Sequence, residues 1–246
     1  MQSAQLKIIE HVLSNTQQRF LNDSAEFASF MDSLSSLDKV GLHAIDIDIR
    51  NFFSFYTRTQ KKNPWEYVKQ LTARFSNTPI QISIDGQRLL GNRLYADDVV
   101  ELFISVAILS GVDIFRVTDA LNDARNLKTA VSKIKSFNKE AHVGIFYSET
   151  RGYEPGEILK QAQSCVKIGA DAICLIDEYG LLTPYLAYEI VQNLSDNLSV
   201  PVFFKSSHPY GIANAVAIKA IEAGVAGVDA TITSSSMNTL PCTLGL

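Results

Sequence analysis

Eight short apolar, β-branched runs alternate with longer helical windows along the chain, and this alternation limits the possible folds more than any other feature. The runs are LKIIEHVL (6–13), HAIDIDI (43–49), PIQISID (79–85), VDIFRVT (112–118), HVGIFYS (142–148), DAICLID (171–177), PVFFK (201–205) and GVDATIT (227–233). Several are apolar on both faces, the pattern of parallel strands covered on each side. Helical windows fall at 24–40, 64–75, 96–111, 121–137, 155–169, 183–194 and 212–224. Pro64 stands where a first helical residue is expected and Gly111 where a helix should stop. Eight strands alternating with helices predict an α/β fold, a (β/α)8 TIM barrel, with residues 1–246 forming one domain. A doubly wound sheet is the competing architecture. However, no G-x-G-x-x-G follows strand one, and no G-x-x-x-x-G-K-[ST] occurs in the chain.

The stretch after strand eight, SSSMNTLPCTLGL (234–246), is poor helix material, so the eighth helix is expected to be missing or vestigial. On that reading a partner subunit or a second copy covers the flank, or the chain is part of something longer. A net charge of −4 and a pI of about 5.6 leave no basic stripe for nucleic acid. The sequence has no apolar run of membrane-spanning length, and MQSAQLKIIEHVL lacks the features of a signal peptide. The three cysteines, Cys165, Cys174 and Cys242, form no C-x-x-C pair, and Cys174 reads as a small buried hydrophobe. A reducing, cytoplasmic setting without membrane or nucleic-acid partners is expected.

In such barrels chemistry gathers at the carboxyl ends of the strands. Those ends carry Ser14, Asn15, Gln17 and Gln18; Asp46, Asp48 and Arg50; Asp85; Thr118 and Asp119; Asp177 and Glu178; Lys205, Ser207 and His208; and Thr231 and Thr233. There is no H-x-H or H-x-x-x-H spacing and no histidine pair clustered in sequence, so the residues alone point to no metal site. His11 and His43 read as structural strand residues and His208 as a solvated turn residue. Asp46 and Asp48 share a face by alternation. NFFSFY (51–56) is expected to be a short helix packing on the mouth rather than a platform for stacking a ligand.

At RLLGNRLYADDVVELF (88–103), DIFRVTDALNDARNLKTAV (113–131) and GLLTPYLAYEIV (180–191) the chain strongly resembles a known family. This is the carboxyltransferase domain of pyruvate carboxylase, the oxaloacetate decarboxylase α subunit and the matching transcarboxylase subunit, which are TIM barrels like HMG-CoA lyase. NPWEYV (63–68), LDKVG (37–41) and IEAGVAGVDATI (221–232) fit the same pattern. The resemblance implies a (β/α)8 barrel that binds a divalent metal and moves a carboxyl group between pyruvate and biotin presented by a partner. It also implies where the ligands should stand. The aspartate after strand one falls on Asn15, the carbamylated lysine of strand six on Ile176, and the two histidines of strand seven on Lys205 and Ser207. Of the strand-one motif only Gln18 is kept. The substrate-binding arginine of strand three falls on Asp85, a tyrosine of the next motif on Asn92, and an acidic residue of strand two on Asp46. The proton-relaying threonine falls on Thr239.

An isoleucine cannot ligate a metal, and a lysine repels a divalent ion. The chain is therefore expected to be a divergent barrel without the metal-dependent parental activity and with no cofactor of its own, retained for binding or scaffolding. A small 2-oxo acid is the natural ligand. Two alternatives stand beside this reading. One is an active biotin-dependent carboxyltransferase or decarboxylase completed by a partner. The other is a metal-free lyase using Lys205 as a Schiff-base amine. Lys205 is expected to pair with mouth carboxylates, standing in for the absent cation.

Overall fold

The computed structural model describes residues 5–13, 34–47, 49–58, 61–91, 93–148, 155–207, 212–231 and 242–243, with the backbone alone for 51, 52, 55, 242 and 243. Eight parallel strands follow one another around a barrel: β1 (Lys7–Glu10), β2 (Ala44–Ile47), β3 (Ile80–Asp85), β4 (Ile114–Thr118), β5 (Glu140–Phe146), β6 (Ala172–Asp177), β7 (Val202–Ser206) and β8 (Gly227–Thr231). β1 closes on β8 from Lys7↔Gly227 to Glu10↔Ala230, so the architecture is the expected (β/α)8 barrel.

The strands are shorter than their apolar runs. Strand one, expected over 6–13, stops at Glu10 because the Glu10 carboxylate accepts the amide N–H of Val12 at 2.8 Å and turns the chain. Strand two, expected over 43–49, stops at Ile47, and Ile49 opens a helix.

Seven helices have both ends among the described residues: α1 (Ile49–Arg58), α2 (Pro64–Thr72), α3 (Asp97–Leu109), α4 (Lys128–Ser136), α5 (Pro155–Lys167), α6 (Pro184–Asn197) and α7 (Ala213–Glu222). Their starts follow local chemistry. Asn63 caps α2 by accepting the Trp65 N–H at 3.1 Å, with Pro64 in the first turn, and Thr183 caps α6 with Pro184 following. Gly111 lies at φ +96° just past α3, where a side chain would be strained and would strike Thr72. The window expected at 121–137 divides into a turn of 3-10 helix at Ala124–Asn126, capped by Asp123, and α4. No helix among the described residues is long and apolar enough to cross a membrane.

Alternation sorts the strand residues into two apolar clusters. Ile45, Ile80, Ile82, Phe115, Val117, Val143, Ile173, Leu175 and Phe204 point outward into the shell shared with the helices. Ile9, Ala44, Ile114, Ala172, Cys174, Ile176 and Phe203 point inward and fill the barrel. Cys174 is the expected buried hydrophobe, with burial pushing its thiol up to about 12. After β8 the described residues form a two-residue strand, β9 (Cys242–Thr243). It pairs with Ala230 and Thr231, beyond the stretch of β8 that β7 reaches.

Candidate functional site

The carboxyl end of the barrel is built on alternate, inward-facing strand positions. In register, Asp85 pairs with Thr118, and Ile176 pairs with Phe146 on one side and Lys205 on the other. Three of the residues singled out by resemblance, Ile176, Lys205 and Ser207, therefore stand together on β6 and at the end of β7. Asn15, Gln18, Asp48, Asn92, His208 and Thr239 lie outside the described residues.

Ile176 is 3% exposed and packs with Cys174 and Phe203. Its Cδ1 fills the space over Gly144: a Cβ there would lie 2.6 Å from it and 2.8 Å from Thr118 Cγ2. The mouth at this point is a hydrocarbon wall. Ser207 is buried, and its backbone N–H donates to the Asp177 carbonyl at 2.9 Å.

Lys205 corrects an expectation. Its ammonium makes no hydrogen bond or ion pair among the described residues, although pairing with mouth carboxylates was expected. Among the described mouth carboxylates, Asp85 and Asp46 are already held by other groups. Asp85 accepts Arg50 at 2.6 Å and the Thr118 hydroxyl at 2.8 Å. Asp46, 4% exposed, accepts the Gln81 amide at 2.8 Å and the Ser83 hydroxyl at 3.3 Å, with His11 Nδ1 at 3.5 Å. His11 Nε2 lies 2.7 Å from Asp229, and Asp229 also takes both terminal nitrogens of Arg116 in a forked pair.

Arg116 and Asp229 are both essentially without solvent contact. Burial alone would raise the Asp229 pKa, but Arg116 and His11 outweigh it and hold the carboxylate far below its usual range. The same pairing overcomes burial on Arg116 and keeps its guanidinium charged. The cation that neutralises the barrel's interior is thus Arg116, from β4. Its sequence signal is a lone arginine inside the apolar run VDIFRVT. His11 is the structural histidine it was expected to be.

Other strand-end carboxylates shape loops. Asp177 accepts the N–H groups of Leu181 and Leu182 at 2.8 and 3.2 Å, and Asp119 accepts those of Leu121 and Asp123 at 2.9 and 3.0 Å. The expected helix over NFFSFY is α1. Its Phe53 packs edge-on against Trp65, with ring centroids 4.7 Å apart, and tilted against Phe103, which ties α1, α2 and α3 together. Arg50, at the start of α1, also edges an open groove of about 920 Å³ beside the mouth, lined by Phe53, Trp65, Tyr95, Phe103, Arg58 and Arg93.

The mouth therefore offers Arg50 and Lys205 as cations beside an isoleucine wall. The described residues at the ligand positions, Ile176, Lys205 and Ser207, do not fit a divalent ion. A hydrocarbon has no donor atom, and an ammonium has no lone pair to give.

Comparison with known proteins agrees with this architecture. Residues 19–234 match the HMGL-like family. A pyruvate carboxylase subunit of Methanocaldococcus jannaschii is 34% identical over 234 residues, covering 95% of this chain and 41% of that protein. The methylmalonyl-CoA carboxyltransferase 5S subunit of Propionibacterium freudenreichii is 30% identical over 232 residues, covering 94% and 46% respectively. The carboxyl transferase domain of Rhizobium etli pyruvate carboxylase, solved with 3-bromopyruvate, superposes with a TM-score of 0.90 at 26% identity, covering 99% of this chain and 42% of that one. The same domain has been solved with pyruvate and biocytin. The chain thus spans less than half the length of these relatives.

Proposed function

The chain belongs to the HMGL-like family, with a carboxyltransferase-type barrel, and from that premise we propose that it binds a small carboxylate at its mouth as part of a larger assembly, without metal-dependent carboxyl transfer of its own. The observation that carries this reading is Ile176. It is buried against Gly144 and Thr118, where the resemblance calls for a metal-bound carbamylated lysine. A hydrocarbon at that position offers no donor to the Lewis acid that would stabilise an enolate of pyruvate. Arg50 and Lys205 supply positive charge for a 2-oxo acid, and Asp85 holds Arg50 in place. Two of the relatives are themselves subunits, one of a pyruvate carboxylase and one of a methylmalonyl-CoA carboxyltransferase, which supports a partner-dependent role.

A second reading draws on the Lys205 ammonium, which has no ion-pair partner among the described residues. Its amine would add to the keto carbon of a 2-oxo acid and expel water to form a Schiff base. One experiment addresses both. The purified chain is given oxaloacetate with added Zn²⁺ or Mn²⁺, and separately pyruvate with borohydride. Expected are no metal-stimulated decarboxylation and, for the binding reading, no adduct mapped to Lys205. Metal-dependent turnover overturns the proposal, and a reduced pyruvate adduct on Lys205 replaces it with the lysine chemistry.

A further inference from the structure

The opposite end of the barrel, its floor, carries a cluster that the mouth does not use. His43 immediately precedes β2, Glu140 opens β5, and His142 follows on the inward face of β5. β2 and β5 are separated by two strands, so the two imidazoles meet across the barrel. Their rings lie nearly parallel, with centroids 6.3 Å apart and planes 13° from each other. Phe203 of β7 packs against both, at 5.5 and 5.0 Å. His142 Nε2 lies 3.1 Å from Glu140 Oε2, and one ligand atom from each of the three residues falls within 4.8 Å of the others.

One nitrogen at the centre of this cluster is left without a function. His43 Nε2 is buried with no hydrogen-bond partner among the described residues, and it shares the cluster with the Glu140 carboxylate and the Nε2 of His142, a residue 1% exposed. A buried polar atom without a partner carries a desolvation cost that natural folds seldom tolerate without a reason. From this geometry we propose that His43, Glu140 and His142 bind one divalent transition-metal ion of the zinc class at the barrel floor.

The chemistry of the donors suits such an ion. Two neutral imidazoles and one carboxylate form a mixed nitrogen–oxygen set, which zinc, cobalt and nickel accept and which magnesium or calcium would not choose. Burial, with Lys7 and His142 adding to it, holds His43 down to about 4, and burial lowers His142 as well, so both rings are neutral near pH 7. The His142 hydrogen bond keeps Glu140 below its usual value, as a carboxylate. Metal bonds of about 2.0–2.1 Å place tetrahedral donors on the order of 3.3 Å apart, close to the Glu140–His142 spacing. The Glu140 side chain is 55% exposed, which leaves an open side for entry and for a bound water. Lys7, 5.9 Å from the Phe203 centroid, and Arg116 are the charges that oppose the ion.

The test uses the whole chain, stripped with chelator and titrated with Zn²⁺ by calorimetry. The expected result is one ion per chain together with a raised melting temperature. Glu140→Gln alters an exposed side chain without changing its shape, so the fold should survive. Even an outer partner of a metal ligand is worth about tenfold in affinity, so this change should weaken binding at least that much. His43→Gln should do the same, while Lys205→Ala at the mouth should leave binding unchanged. The proposal is overturned by a chain that takes up no zinc, by Glu140→Gln and His43→Gln variants that bind like the parent, or by loss of binding in Lys205→Ala alone.

Discussion

Replacing Asp229 by asparagine should be among the most damaging single changes to the folded chain, although it alters only one atom type. Arg116 and Asp229 are 1% and 2% exposed, so no water can take over from the lost charge. Both terminal guanidinium nitrogens donate to Asp229, and Arg116 Nε has no partner among the described residues. His11 Nε2, 2.7 Å away, loses its anionic partner too. Leaving one member of a buried pair uncompensated costs roughly 3–5 kcal/mol. Asp46, which also acts on Arg116, argues for the lower end. Against a typical stability of about 5–15 kcal/mol this is a large fraction. At about 2–4 °C per kcal/mol for a chain of this size, the melting temperature should fall by about 6–20 °C. Urea and thermal unfolding followed by circular dichroism at pH 7 measure it. Asp85→Asn is the control, since its bond to Arg50 is partly solvated (side chains 28% and 47% exposed) and should be worth no more than about 1 kcal/mol. The double change Arg116→Met with Asp229→Leu should recover much of the loss, because apolar replacement of a whole buried pair is often tolerated. A loss in Asp229→Asn no larger than in Asp85→Asn would overturn this account of the buried pair.

Two further outcomes are expected. Burial lowers the pKa of His43 from 6.5 to about 4, so between those values the unfolded chain binds more protons than the folded one. That contribution to stability is complete above about pH 6.5 and is lost as pH falls toward 4. The urea midpoint of chelator-treated protein should therefore drop between pH 7 and pH 4.5, and the drop should be shallower in His43→Gln; equal slopes would count against it. Gly144→Ala would drive a methyl group into Ile176 Cδ1 and Thr118 Cγ2, at a cost of roughly 1–3 kcal/mol. Adding Ile176→Val, which removes that Cδ1, should restore part of the loss; a double variant no more stable than the single would show that the two side chains do not compete for space.

Much of this molecule could be read from local pattern. Alternation within VDIFRVT and DAICLID already separates Phe115, Val117, Ile173 and Leu175 from Arg116, Cys174 and Ile176. Asn63-Pro64 and Thr183-Pro184 announce the starts of α2 and α6. These features depend on neighbours one to four residues away, where strand and helix periods act. Motif resemblance carried Ile176, Lys205 and Ser207 to one end of the barrel. It could not say which cation each carboxylate takes.

Closure of the sheet made those choices. Bringing β1 against β8 sets His11 beside Asp229, 218 residues away in sequence, and the barrel's narrow interior joins Arg116 to the same carboxylate. Arg50 reaches Asp85 from a helix start, so that carboxylate is taken by a cation other than the expected Lys205. On the floor, His43 and His142 have no shared spacing in the chain and meet only because β2 and β5 face each other across it. The strands and their inward faces were legible in the residues alone, because they follow from local periodicity. The charge pairing and the histidine cluster emerged only on folding, because they depend on which distant strands the closed barrel sets opposite one another.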